Sequence, residues 1–303
     1  MNQLALLHFG LGLILAPLLP GIINRVKAVF GGRTGKPLLQ LYFDLAKLLR
    51  KGAVYSTTTT WVFKAGPVIG LAALLLALAF LPFAGVDALC PFPGDVFLFA
   101  YLLGLARFCT MLAALDTGSS FEGMGAAREA LFSALAEPAL VLAFLMFISR
   151  SGSLALSGML KSPVNVDWVL HGPSLLLIAA ALFLVLLSEN CRIPFDDPNT
   201  HLELTMIHEV MVLDHSGPDL AFILYGASLK LWIFAVLLVN AVAPWGVSSD
   251  WLDGVAGLAC VLLVAVAVGV MESIMARYRL PQVSKALTVA GALALLALVL
   301  TWR

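Results

Sequence analysis

ENCRIPFDDPNTHLELTMIHEVMVLDHSG occupies residues 189–217. It carries six acids (Glu189, Asp196, Asp197, Glu203, Glu209 and Asp214), the histidines His201, His208 and His215, and a single arginine, Arg192. On either side lie apolar runs, roughly 173–189 and 221–243, each about long enough to cross the hydrocarbon of a bilayer as a helix. A loop this polar between two spans is where the functional groups of a membrane protein concentrate. The whole chain fits that reading: 61% of its residues are hydrophobic, its mean hydropathy is +1.00, and charged residues make up 12%. That charged share is about half the usual one in soluble domains.

Working outward, the sequence predicts an all-α integral membrane protein of one polytopic domain, residues 1–303, with about eight spans. They fall at roughly 3–23, 61–83, 95–115, 130–150, 173–189, 221–243, 252–272 and 284–302. These runs lack the period-two alternation of a membrane barrel. Pro20, Pro82, Pro93, Pro173, Pro218, Pro244 and Pro281 mark many of the ends. The N-terminus is apolar at once, with no basic stretch before it, and reads as a retained span.

The formal net charge is zero, which gives no reason to expect nucleic acid as a partner. The distribution of charge is informative. The first loop holds Arg25, Lys27, Arg33, Lys36, Lys47, Arg50, Lys51 and Lys64, and later odd-numbered loops add Arg128, Arg192, Arg277, Arg279 and Lys285. The opposite side has only Arg150, Lys161 and Arg303. By the positive-inside rule the odd loops, including 189–217, face the cytoplasm and both termini face outward. Within the first loop, Leu38, Leu41, Tyr42, Leu45, Leu48 and Leu49 share one helical face, and Gln40, Asp44, Lys47 and Lys51 the other. That pattern predicts an amphipathic helix lying in the cytoplasmic interface. Just before it, GGRTGK at 31–36 is no phosphate loop, because Phe30 stands where glycine is needed and Pro37 replaces the hydroxyl residue.

The second odd-side loop, about Asp116 to Glu129, reads as a flexible glycine-containing connector. After the fifth span, Pro194 and Pro198 forbid a continuous helix, so the chain must turn. Asn199 or Thr200 is placed to cap a short helix running to about Leu213. His208-Glu209 lacks a second histidine four residues on, so the zinc-protease pattern is absent. Cys90, Cys109, Cys191 and Cys260 are scattered without metal spacing.

Ionisable residues inside spans are costly and mark function. Glu137 precedes Pro138, whose missing N–H loosens the local helix. Lys230 is about ten residues into its span, which places it about 15 Å deep at 1.5 Å per residue. Arg107 lies in the inner half of the third span. Glu189 and Glu272 end inward-running spans, where snorkelling to the interface would suffice. Buried acids and bases at such depth either form static pairs or relay protons.

Glu189-x-x-Arg192-x-Pro194-Phe195-Asp196, then Glu203 and Glu209, then His215-Ser216-Gly217, resembles the central cytoplasmic loop of the H-type membrane protein of respiratory complex I. Asp196-Asp197-Pro198 and the run Thr200 to Glu209 are similar to the branch of that family found in group 4 [NiFe] hydrogenases, of the formate hydrogenlyase and hydrogenase-4 kind. The resemblance covers essentially the whole chain. It implies a component of the prokaryotic inner membrane without a redox cofactor of its own, the NiFe centre and iron–sulfur clusters sitting on other subunits. The implied partners are the peripheral hydrogenase large and small subunits, iron–sulfur subunits, antiporter-like membrane subunits and the bilayer. On this reading Glu137, Glu189, Glu203, Glu209, Lys230 and Glu272 are candidates for a proton path. Arg192, Asp196, Asp197, His201, His208 and Asp214 form a docking loop, and Arg25, Arg33 and Lys36 a basic counterpart. The alternative is a complex I-type subunit that contributes to a quinone cavity. A stand-alone transporter is disfavoured, since no inverted repeat is evident.

Overall fold

The computed structural model describes residues 3–161, 168–197, 206–243, 245 and 249–302. Among these residues the chain is helical, with no strand beyond one isolated bridge between Phe83 and Val86. The helices are α1 (Gln3–Leu15), α2 (Leu18–Phe30), α3 (Gln40–Leu49), α4 (Trp61–Ala79), α5 (Asp95–Asp116), α6 (Ser120–Ser151), α7 (Leu156–Lys161), α8 (Trp168–Glu189), α9 (Gly217–Val242), α10 (Asp250–Ile274) and α11 (Leu280–Thr301). Seven of them are long and apolar enough to span a membrane, and α1 with α2 makes an eighth, broken span bent by 47°. The eight expected spans and the amphipathic helix are all present.

The break in the first span departs from the continuous helix expected there, and Pro17 explains it. Proline has no N–H to donate to Leu13, so that carbonyl is released. Tyr225 of α9 donates to the Leu13 carbonyl at 2.9 Å, and Tyr42 of α3 donates to that of Ile14. Two tyrosines therefore satisfy the broken ladder and tie α3 and α9 to it. The interfacial helix α3 has no buried residue, and Phe43 on it is 61% exposed.

The core is a continuous apolar cluster built around α9, whose residues Leu229 to Leu237 are buried apart from Lys230. α4 packs on α5 and α9, while α11 packs on α6 and α8. The polar loops separate into two ends. One end joins α2, α3, the start of α4 and the stretch after α8, because Val54 N–H donates to Ser216 Oγ at 3.1 Å and the Thr60 N–H to Asp116 at 2.7 Å. At the other end Lys161 pairs with Asp87 at 2.6 Å and Asn240 Nδ2 donates to the Pro82 carbonyl at 2.7 Å.

The expected connector 116–129 is corrected. Helix α6 begins at Ser120, and Glu122 and Glu129 are buried within it. Gly125 is a contact surface here, not a flexible hinge: a Cβ there would lie 2.3 Å from Val210 and 2.9 Å from the Ile207 carbonyl. Only glycine lets the 206–212 segment sit directly on α6.

Candidate functional site

Four charged side chains on four different helices meet between the spans. Lys230 of α9 places Nζ 2.9 Å from Glu189 Oε2 at the end of α8. Arg107 of α5 donates to the same Glu189 oxygen at 3.1 Å and, through its other terminal nitrogen, to Glu137 of α6 at 3.2 Å. The order is Lys230–Glu189–Arg107–Glu137. Glu129, buried about two turns before Glu137 on α6, faces the same cavity as Lys230, Glu189 and Arg107.

Each of these residues is placed by a local rule. α8 ends at Glu189 and the chain turns just after it, with Cys191 at φ 50°. Lys230 sits at an otherwise buried position of α9, so its ammonium reaches the end of α8 and not the lipid. Pro138 follows Glu137 inside α6 without ending the helix.

Burying charges is favourable only when partners and hydrogen bonds replace water. Here two cations, Arg107 and Lys230, lie near the buried carboxylates Glu129 and Glu189, and Arg107 also reaches the more exposed Glu137. The three carboxylates outnumber the two cations, so the group carries one more acid than base. Arg107, Glu129, Glu189 and Lys230 share a cavity of about 80 Å³ that also touches Thr110, Asn190 and His208, while Glu137 lies outside it. That leaves room for a few water molecules. It is well below the roughly 300 Å³ at which small-molecule pockets begin.

A second charge group lies toward the loop end. Glu272 of α10 is 5% exposed and sits 2.8 Å from Lys27 of α2 and 3.5 Å from Arg192. Snorkelling does not describe Glu189 or Glu272, since both are buried and ion-paired. Asp196 is 3% exposed, lies 2.7 Å from Arg277, and accepts the N–H groups of Ile207 and His208, each at 3.1 Å. It therefore organises the loop from within and is not a surface contact for a partner. The loop is further pinned by Arg128 donating to the Met206 carbonyl at 2.9 Å, by Tyr278 N–H donating to the Pro194 carbonyl at 2.8 Å, and by His215 stacked on Phe63 at 3.9 Å.

Of the remaining expected site residues, Glu209 opens a 3-10 turn, Glu209–Val212, and Asp214 is exposed. The short helix expected after Pro198 is seen only as this turn. His201 and Glu203 lie outside the described residues. Asp197 and His208 are half-buried, and Arg25, Arg33 and Lys36 are exposed on the first loop. Arg107 and Glu129 lie with Lys230 and Glu189 here but are not among the expected site residues. Arg107 stands out in the sequence as an intramembrane charge, but its link to two carboxylates needs the fold. Glu129 is hidden by its place in an apparent loop.

Burial pushes the His208 imidazole down to about 4, and the Lys230 charge adds to the effect. The folded protein thus holds His208 neutral at a pH where an unfolded chain would take up a proton near 6.5. Stability is complete above that value and falls as the pH drops from about 6.5 toward 4. The expected loss is on the order of 2 kcal/mol across that window. Thermal unfolding of the detergent-purified protein between about pH 7 and pH 4.5 measures it, and His208→Gln should flatten that part of the acid slope.

The NADH dehydrogenase family profile matches residues 2–302. The chain belongs to this family. Among its relatives, formate hydrogenlyase subunit 4 of Escherichia coli K12 is 32% identical over 271 residues, covering 88% of this chain and 87% of that protein. Hydrogenase-4 component C of the same organism is 32% identical over 281 residues, covering 88% and 85%. The H-type NADH-quinone oxidoreductase protein of Rickettsia canadensis is 25% identical over 226 residues, covering 73% and 65%. A chain of the membrane-bound sulfane sulfur reductase, an archaeal respiratory membrane complex, shares the fold with a TM-score of 0.80 at 24% identity, covering 97% of this chain and 98% of its own. Membership of the complex I H-type family, and the greater likeness to its hydrogenase branch, agree with the motif at 189–217.

Proposed function

We propose that this chain is the membrane subunit that anchors a peripheral [NiFe] hydrogenase arm and couples its redox reaction to ion translocation. The observation that carries this reading is the cluster Lys230–Glu189–Arg107–Glu137, which links α9, α8, α5 and α6 beside the end of α8 where the polar loop begins. In this reading the NiFe centre and iron–sulfur clusters belong to other subunits. The first-loop cations Arg25, Arg33 and Lys36 and the loop acids Asp197, Glu209 and Asp214 form the docking platform on the cytoplasmic side of a prokaryotic inner membrane. Opposed charges there would steer and orient the arm. A redox-linked charge change in the docked arm would bias the protonation of the buried cluster, and ordered water in the cavity would pass a proton on.

The quinone alternative is less well supported, because the likeness to the two hydrogenase relatives, at 32% identity, exceeds the 25% shared with the NADH-quinone oxidoreductase relative. Purifying the tagged chain from its native membrane in mild detergent tests the proposal. Co-elution of nickel and iron at fixed ratio with hydrogenase subunits is the expected result. A chain that elutes alone, or with bound quinone and an NADH-oxidising arm, would overturn it.

A further inference from the structure

Outside the cavity, one carboxylate opens into an apolar groove on the outside of the bundle. α5 packs along α4 and α6 along α11, and between α5 and α6 a groove of about 620 Å³ remains. Phe97, Tyr101 and Phe108 of α5 and Val141 of α6 form its walls, and Phe234 of α9 its floor. Most of this surface would suit lipid tails. Glu137 does not. Its side chain is 57% exposed and opens into the groove beside Phe108, Leu140 and Val141. Its described hydrogen-bond donor is Arg107, and that guanidinium also serves Glu189. Acyl chains offer no donor, so hydrocarbon against this carboxylate leaves one polar face unmatched.

We propose that the α5–α6 groove seats a transmembrane helix of another membrane subunit, and that this helix presents a lysine, arginine or other hydrogen-bond donor at the level of Glu137. This rests on the reading of the chain as part of a multisubunit complex, and names the face and the chemistry of that contact. Two features support a helix as the occupant. Ala100 and Gly104 line the groove one turn apart on α5, the spacing at which small residues let a second helix approach closely. A Cβ built on Gly104 meets nothing within 4 Å, so the notch is not filled by this chain. A second copy of the chain is a poorer occupant, since the same face would bring to the groove another Glu137 and, as its one basic side chain, an Arg107 already engaged by Glu137 and Glu189.

A photo-reactive benzophenone residue at Tyr101, which is 77% exposed, tests the contact in the complex as purified from native membranes. The expected adduct is with a membrane-spanning peptide of a different subunit that contains such a donor. Gly104→Leu puts a side chain into the notch from a Cβ position that meets nothing within 4 Å. It should lower co-purification of that subunit at least about tenfold while the peripheral arm stays bound. Adducts with lipid only, adducts with a second copy, or unchanged subunit content in Gly104→Leu would overturn the proposal while leaving the anchoring role intact. A chain that purifies alone overturns both.

Discussion

Lys230→Met should leave the complex assembled and its hydrogenase rate with an artificial electron donor near that of the native protein, while ion translocation falls by about a hundredfold. Methionine keeps most of the side-chain length and the apolar packing of the stem, so α9 holds its place in the core. What disappears is the cation 2.9 Å from Glu189. Glu189 retains Arg107 at 3.1 Å, which protects folding, but the proposed path loses one of its ionisable groups. Removing one positioned proton-transfer group typically costs on the order of 10²-fold or more. Proton uptake by inverted membrane vesicles supplied with donor and acceptor measures the effect beside the uncoupled hydrogenase rate. A normal ion-to-electron ratio would show that Lys230–Glu189 is a static tie between α9 and α8.

Arg107→Met should be the most damaging single substitution for stability. Arg107 is 9% exposed and bridges α6 and α8 from α5 through Glu137 and Glu189. Breaking a buried pair by removing one partner strands the other charge, at a cost of about 3–5 kcal/mol. Here two carboxylates lose the same guanidinium, although Lys230 still faces one of them. The expected outcome is a much lower unfolding temperature in detergent and low yield of assembled complex. Adding Glu137→Gln to Arg107→Met should restore part of the loss by removing one stranded charge, and a double-mutant cycle measures that coupling. Equal stability of Arg107→Met and the native chain would mean that the guanidinium is replaced by water.

Residue patterns in the chain show the eight spans, the interfacial helix around Leu38–Lys51 and the turn at Pro194. Apolar length and proline position decide those features locally. The break at Pro17 is legible in principle, but an isolated proline in an apolar run reads equally as a mild kink. Only the tyrosines from α3 and α9 show why the fold tolerates a full interruption. The start of α6 misleads for a related reason. Gly123 and Gly125 carry the composition of a loop, while the role of Gly125 depends on Val210 and Ile207 arriving from a distant part of the chain. The site is partly legible. Glu137, Glu189 and Lys230 stand out because charge in an apolar span is rare. Their pairing does not, because Arg107 joins helices α5, α6 and α8, and no spacing rule connects residues so far apart in the chain. Asp196 looks like a surface acid from its polar surroundings, and its burial follows from the 206–208 backbone folding back onto it.

The most direct test of the account is the number of ions moved per electron in Glu137→Gln. Glutamine preserves the shape and a hydrogen-bonding carbonyl toward Arg107, yet cannot carry a proton in the relay. The predicted result is an intact complex with ordinary hydrogenase turnover and an ion-to-electron ratio reduced at least about tenfold. An unchanged ratio would contradict the proposed path through Glu137 and leave the cluster with a structural role alone.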